Sequence, residues 1–166
     1  MGDRLAEFNA LSVASATELL RPVCASDAWL QAMTGGRPYR NADELTHRSD
    51  EALAVLDWSD VEQALAAHPR IGERPAGGDR EAAWSRQEQS GAAAASTNVA
   101  DELRAGNLIY EQRFGHVFLI CATGRTADDI LAELTQRLSN DDATERQVVR
   151  RELAAIVRLR LAKALQ

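Results

Sequence analysis

Apolar positions recur along most of this chain at helical spacing, and a helix-capping residue precedes most of the apolar runs. A Ser, Thr, Asn or Asp side chain in front of such a run accepts hydrogen bonds from the first free N–H groups of a helix. Three of these residues also have an acid three positions later, which completes a capping box. The predicted capping residues are, in chain order, Ser12, Ser26, Asn41, Ser59, Asp79, Thr97 and Thr126. They open helices over about 12–20, 26–34, 42–56, 60–67, 79–89, 97–113 and 127–139, and a last helix covers about 143–165.

Only the stretch 117–122 (VFLICA) has the continuous apolar character of an extended segment. A single strand cannot form a sheet by itself. The pattern therefore predicts an all-α fold, a single compact domain over 1–166 with about eight helices, in which 117–122 is a buried extended connector.

Composition excludes several classes of function. The chain has 166 residues, of which 45% are hydrophobic, and this suits one domain with its own core. No apolar run approaches the roughly 20 residues needed to span a bilayer, and the N-terminal segment is unlike a signal peptide. The net charge of −6, with acids and bases mixed along the chain, argues against nucleic-acid binding. We therefore expect a cytoplasmic protein that binds neither membranes nor nucleic acids.

The last predicted helix contains an arginine on its apolar side. Val149, Leu153 and Ile156 share one face, and Arg160 falls in the middle of that face, whereas Arg158 lies opposite it. A guanidinium facing the core needs an anion or several acceptors. Two interpretations stay open at this point: a structural ion pair, or a contact to the carboxylate or carbonyl of a substrate.

His68 stands before Pro69, where the helix over 60–67 must end. A residue before proline is displaced from the helical region, so His68 is expected in a turn or extended geometry at a helix terminus. Histidine transfers protons near neutral pH. A surface histidine before a turn is the alternative to a catalytic one.

Three polar side chains share one face of the helix predicted over 79–89. Ser85, Glu88 and Gln89 stand at i, i+3 and i+4, so a hydroxyl, a carboxylate and an amide lie side by side. This face is either solvated or part of a pocket for a small substrate rich in hydrogen-bonding groups. In a pocket with His68, the carboxylate would orient the imidazole and favour its protonated form.

Signatures of metal and cofactor sites are absent from the sequence. Neither His47 nor His116 has the spacing of a metal-ligand pair, and Cys24 and Cys121 form no metal or redox motif. Phosphate-binding glycine loops and a nucleophile elbow are missing as well. The sequence thus predicts no metal and no cofactor, which leaves metal-free acid–base chemistry or no catalysis.

An ordered set of motifs resembles one enzyme family, 2-oxo-4-hydroxy-4-carboxy-5-ureidoimidazoline (OHCU) decarboxylase, which completes the conversion of urate to (S)-allantoin. The longer motifs are 67–72 (AHPRIG), 85–92 (SRQEQSGA), 110–125 (YEQRFGHVFLICATGR) and 137–141 (RLSND). The likeness continues at 8–12 (FNALS), Trp29, 37–39 (RPY), Glu152, Ile156 and 159–161 (LRL). The set spans nearly the whole chain.

The resemblance implies an all-helical, cofactor-free decarboxylase that acts on a small anionic substrate and forms a homodimer. It also implies roles for particular residues. His68 and Glu88 correspond to the catalytic pair. Substrate contacts are implied for Pro69, Ser85, Gln89, Phe118, Ile120 and Arg160, with backbone groups acting near Phe118 and Ile120.

Two other functions remain as alternatives. One is a non-catalytic helical interaction module, in which Arg160 forms an ion pair and His68 only ends a helix. The other is a different metal-free enzyme that acts on a ureido or hydantoin ring.

Overall fold

The computed structural model describes residues 2–73, 78, 80–93 and 95–166, and these residues form ten α-helices and no β-strand. The helices are α1 (Gly2–Ala10), α2 (Val13–Leu20), α3 (Asp27–Gly35), α4 (Ala42–Ala54), α5 (Trp58–Ala66), α6 (Arg80–Glu88), α7 (Ser90–Ala93), α8 (Thr97–Phe114), α9 (Ala127–Arg137) and α10 (Asp142–Ala164). The all-α prediction is confirmed. The prediction of about eight helices missed α1 and the single turn α7.

Most of the predicted capping residues begin helices. The side chains of Ser12, Ser26, Asn41 and Thr126 each accept a hydrogen bond from the N–H three residues later. At α8 the prediction was one residue late, since Ser96 and not Thr97 is the cap. The predicted cap Asp79 lies outside the described residues.

The predicted start of α5 at Ser59 was wrong because an aspartate pair caps the helix two residues earlier, at Asp57. Asp57 accepts the Asp60 N–H at 3.0 Å, and the Asp60 carboxylate accepts the Asp57 N–H at 3.2 Å. The Ser59 hydroxyl donates to the Asp57 carboxylate at 2.7 Å. Ser59 therefore supports this reciprocal cap and does not replace it.

The chain divides into two compact units. Unit 1 takes in the residues up to Ala64 and Ala154–Gln166, and its core includes Phe8, Trp29 and Leu45. Unit 2 is Leu65–Leu153, with a core that includes Leu103 and Ile130. The organisation of 1–166 as a single domain stays a prediction.

In unit 2, the connector 117–122 follows α8 and precedes α9. Gly115 ends α8 in the left-handed conformation with φ of 79°, which glycine adopts without strain. Phe118, Leu119, Ile120 and Ala122 are all buried, with at most 4% of each residue exposed. The segment contains neither helix nor strand, so the predicted buried connector is confirmed. None of the described helices is long and apolar enough to cross a membrane.

Candidate active site

His68 lies directly beyond the end of α5, as its position before proline predicts. The N–H of His68 donates to the Leu65 carbonyl at 2.9 Å, which closes the last turn of the helix. His68 and Pro69 are both half-buried. The histidine is therefore held at a helix terminus and is not fully exposed to solvent.

The three residues that follow Pro69 are each bound by a side chain from elsewhere in unit 2. Arg70 makes a bidentate ion pair with Glu111, with nitrogen–oxygen distances of 2.6 and 2.9 Å. The Asn107 amide donates to the Ile71 carbonyl at 2.8 Å, and the Gly72 N–H donates to Gln89 Oε1 at 3.1 Å. Gly72 has a φ of 86°, a conformation that side-chain-bearing residues rarely adopt.

The ion pair between Arg70 and Glu111 keeps the glutamate charged in acid. The hydrogen bonds from Arg70 lower the pKa of Glu111 below its ordinary value of 4.5. A depressed carboxyl pKa adds stability that is present above pH 4.5 and is lost only as the pH falls through the lowered value. The ion pair therefore persists throughout the neutral range.

The polar face of α6 is buried, which excludes the interpretation that it is solvated. Ser85 is 2% exposed, and Glu88 and Gln89 are each 9% exposed. Gln89 Oε1 accepts from Gly72, so its amide nitrogen is left to donate in other directions. The end of α6 is thus joined by a hydrogen bond to the loop that carries His68.

The connector is bound along one of its edges by two charged side chains. Arg137 donates to the Leu119 carbonyl at 2.8 Å, and the Cys121 N–H donates to the Glu152 carboxylate at 2.7 Å. In an extended chain, residues two apart direct their N–H and C=O groups to the same edge. The groups of Ile120 then face the other edge, and no hydrogen bond from the described residues reaches them, although Ile120 is only 2% exposed.

A buried ionic network fixes the position of Arg137. The guanidinium pairs with Glu145 at 2.7 Å, and the two side chains are 2% and 0% exposed. Glu145 also accepts hydrogen bonds from the Tyr110 hydroxyl and from the Asn140 amide. Burial, followed by the hydrogen bond to Glu145, raises the pKa of Tyr110 far above its ordinary value of 10.0, so the phenol stays protonated and donates. The Arg137 guanidinium also lies 4.5 Å from the centre of the Phe118 ring.

The pKa of the Cys121 thiol is raised by burial and by nearby carboxylates. Burial raises the pKa of Cys121 above 9.0, the negative charges of Glu152 and Glu88 raise it further, and Arg125 acts in the opposite direction.

Ile71 of the loop after His68, Ala92 of α7 and Ile120 of the connector belong to one buried hydrophobic cluster of unit 2. These three segments therefore pack into the same core.

Arg160 belongs to unit 1 and is 1% exposed, which confirms its predicted position on the buried face of α10. Its guanidinium donates to the Pro22 carbonyl at 3.1 Å. Arg158 is exposed and pairs with Asp50 at 2.8 Å, as expected for the opposite face. The substrate contact predicted for Arg160 stays a prediction.

Unit 1 contains two cavities. They measure about 420 and 440 Å³ and are lined mainly by α1 and the N-terminal half of α4. None of the predicted site residues lines either cavity. Within the described ranges, no three His, Cys, Asp or Glu side chains are grouped as metal ligands would be.

The polar residues that hold the loop and the connector have no role predicted from the sequence. These residues are Asn107, Glu111, Arg137, Glu145 and Glu152. A signal was available for two of them. Arg137 continues the buried face of Ile130 and Leu134 on α9, and Asn107 lies on the face of Leu103 and Tyr110 on α8.

Comparisons with known proteins identify the family of the chain. Residues 9–162 match the family model described as OHCU decarboxylase. The chain is 33% identical over 147 residues to the OHCU decarboxylase of Amia calva, covering 87% of this chain and 81% of that protein. It is 32% identical over 143 residues to the uric acid degradation bifunctional protein TTL of Arabidopsis thaliana, covering 84% of this chain but only 44% of that protein.

A solved structure is also similar. It is a crystal structure of OHCU decarboxylase in the presence of (S)-allantoin, with a TM-score of 0.77 and 26% sequence identity. The likeness covers 88% of this chain and 96% of that one.

Proposed function

Since this chain belongs to the OHCU decarboxylase family, we propose that it converts OHCU to (S)-allantoin by loss of CO2. The observation that carries the proposal is the burial of Ser85, Glu88 and Gln89 together, with Gln89 bonded to the loop that carries His68. Burying a hydroxyl, a carboxylate and an amide on one helix face is costly unless partners compensate for it. A small polar substrate is a suitable additional partner.

The proposed substrate supplies its own electron sink. One ring carbon carries both a carboxylate and a hydroxyl and stands beside a ring C=N. When the bond to the carboxylate breaks, CO2 leaves and the electron pair passes into the adjacent C=N. The two ring carbons are then joined by a double bond, and the nitrogen of the former C=N gains a proton. The hydroxyl loses its proton and becomes a carbonyl, while the neighbouring carbon, which bears the ureido group, gains a proton and becomes the stereocentre of the product. The protein has to hold the carboxylate out of the ring plane and direct the proton to one face.

In this proposal, His68 and Glu88 are the catalytic residues. His68, oriented by Glu88, engages the hydroxyl and carboxylate end of the substrate and governs protonation of the new C–H bond. The half-buried position of His68 suits an imidazole that meets a ligand. The burial of Glu88 suits a carboxylate that acts on a neighbour and not on solvent.

The remaining proposed roles concern binding. Gln89 donates to substrate oxygens, because its own oxygen is occupied by Gly72. The N–H and C=O of Ile120, to which no residue in the described part of the chain is hydrogen-bonded, and the backbone near Phe118 bind the ring edges. Pro69 and Ser85 line the site, and Arg160 is proposed to bind the substrate carboxylate or a carbonyl.

The test is stereochemical, because OHCU also decays spontaneously to racemic allantoin. Freshly oxidised urate is mixed with the protein, and the optical rotation of the product is followed. We expect accumulation of the (S) form with the wild-type protein and a loss of about 10²–10⁴-fold in rate with His68→Asn. Racemic product from the wild-type protein would refute the proposed function. Near-wild-type turnover by a folded His68→Asn variant would refute only the role of His68.

The buried polar face of α6 argues against a non-catalytic interaction module, which has no need for a carboxylate there. A different enzyme acting on a ureido ring would consume substrate without forming optically active allantoin, so the same assay separates it. Homodimer formation, cytoplasmic location and a single domain over 1–166 also belong to this proposal. Light scattering measures the first of these.

A further inference from the structure

We propose that Asn107 and Glu111 of α8 are positioning residues for His68, an inference that rests on the proposed function. The two side chains stand at i and i+4, so they lie on one side of the helix. From that side they bind residues 70 and 71, which follow the His68–Pro69 pair. Neither residue touches the reacting atoms in this proposal.

The described part of the loop after α5, residues 67–73, needs such support because its own backbone hydrogen bonds are local. The backbone bond from Glu73 N–H to the Arg70 carbonyl, at 3.1 Å, is local and does not join the loop to another element. The contacts that do so come from side chains far along the chain: Glu111 is 41 residues from Arg70, and Asn107 is 36 from Ile71. Together with Gln89, they bind residues 70–72 in three ways. Residue 70 is held by an ion pair, residue 71 by a hydrogen bond to its carbonyl and residue 72 by a hydrogen bond from its N–H.

The side-chain amide of Asn107 is held in one orientation by its contact to the loop. It is 2% exposed, and its amide nitrogen meets the Ile71 carbonyl at 2.8 Å. The reverse orientation would place two oxygens against each other. Within the described part of the chain, its Oδ1 has no hydrogen-bond partner. Among the described residues, the amide nitrogen of this buried side chain is hydrogen-bonded and its oxygen is not, so the bond to the Ile71 carbonyl is the polar contact that Asn107 contributes.

The rigidity of the loop fixes His68 because proline separates the two. Pro69 allows almost no rotation about its N–Cα bond and also restricts the backbone of His68, so fewer torsions are left to absorb a movement of residue 70 before it reaches His68. An error of about 1 Å in a catalytic group can cost on the order of 10²-fold in rate. Loss of one loop contact should therefore lower kcat more than it raises KM.

The variants are Glu111→Gln, which removes one charge with little change of shape, and Asn107→Leu, which removes the donor to Ile71. The matched control is Asp101→Asn, which makes the same chemical change in an exposed ion pair of α8, with Arg104 at 2.9 Å. We expect kcat to fall on the order of tenfold in both variants, with KM within about threefold of wild type. The control should change neither constant.

A second readout does not depend on activity. The chain has three histidines, so the ring signals of His47, His68 and His116 are resolved by heteronuclear NMR and assigned with His68→Asn. We expect the His68 signal to shift or broaden in Glu111→Gln and Asn107→Leu, while the signal of exposed His47 stays in place.

The outcomes separate the inference from the function on which it rests. If kcat and the His68 signal are unchanged in both folded variants, the positioning role is overturned while the decarboxylase proposal stands. If all three histidine signals move together and stability falls in parallel, the contacts serve the fold, and the positioning role is again overturned. If the wild-type protein is inactive on OHCU, the proposed function fails and the His68 signal alone decides the positioning role.

Discussion

Gly91 lies in α7, two residues after Gln89. Its substitution therefore tests how closely the packing of α7 supports the candidate site. A Cβ atom on Gly91 would lie 2.1 Å from the backbone oxygen of Arg125. Real Cβ contacts below 3.0 Å are essentially never found, so Gly91→Ala must separate α7 from Arg125 by roughly 1 Å. The obstacle is backbone, and no side-chain rotation can relieve it.

Two effects of Gly91→Ala oppose each other. Alanine favours a helix over glycine by about 1 kcal/mol. Overpacking of this kind costs about 1–3 kcal/mol. The net loss of unfolding free energy is therefore expected to lie between roughly zero and 2 kcal/mol. A displacement of about 1 Å beside Glu88 and Gln89 can lower activity on the order of 10²-fold, so activity should suffer more than stability.

Two other glycines supply matched controls. Gly35, the last residue of α3, has nothing within 4 Å of an added Cβ, so Gly35→Ala should be neutral or slightly stabilising. An added Cβ on Gly106 would lie 2.8 Å from Leu134 Cδ2, which is the end of a side chain that can rotate. We expect Gly106→Ala to fall between the two. Urea unfolding measures stability, and formation of (S)-allantoin measures activity.

A Gly91→Ala variant as stable and as active as wild type would refute this reasoning. The same holds if Gly106→Ala were the more damaging of the two. Either result would mean that Gly91 does not lie as close to the Arg125 backbone oxygen as the structure shows.

Two further predictions concern the connector. Glu152→Ala leaves the Cys121 N–H without its acceptor, so KM should rise on the order of tenfold with a smaller effect on kcat. Glu152→Gln keeps an acceptor, so both constants should stay within about threefold of wild type. Steady-state kinetics measures both variants, and equal effects would contradict the role given to this hydrogen bond. Because burial and nearby carboxylates raise the pKa of Cys121 above 9.0, its thiol should react with iodoacetamide only slowly at pH 7 and faster as the pH rises past 9.0. Mass spectrometry of a Cys24→Ser variant follows this reaction, and a midpoint below pH 8 would contradict it.

The local parts of the fold were predictable from the sequence because local interactions determine them. The caps at Ser12, Ser26, Asn41 and Thr126 depend on contacts over three residues. The error at α5 has the same origin, since Asp57 also has a partner three residues later and competes with Ser59. Helix α1 lacked a capping signal and had only a short apolar stripe, so the pattern did not reveal it.

Helical periodicity predicts a buried position for two arginines, of which only one was recognised from the sequence. Arg160 was found because it continues an apolar stripe, and it is buried. Arg137 continues the stripe of Ile130 and Leu134 in the same way, and it too is buried. Its partner Glu145 was out of reach, because periodicity identifies a buried charge but does not identify what it meets.

The contacts that assemble the candidate site could not be predicted from spacing. Gln89 binds Gly72 across 17 residues, and Glu111 binds Arg70 across 41. Such pairs depend on how helices pack, and many packings satisfy the same apolar pattern. The resemblance identified the residues at 68, 88 and 89, but it did not identify the side chains that hold the loop and the connector in place.

An all-helical protein has a particular difficulty in binding a small ring through its backbone. In the interior of a helix every N–H and C=O is already bonded within the helix, so only helix ends and non-helical segments can offer backbone groups to a ligand. Such a segment lacks the hydrogen-bond ladder that would keep it rigid. In unit 2, Asn107 and Glu111 supply this support to the His68 loop, and Arg137 and Glu152 supply it to the connector. These side chains bind the loop through residues 70 and 71 and the connector through residues 119 and 121, so they hold both segments without engaging His68 or Ile120, the two residues that we propose to meet the substrate.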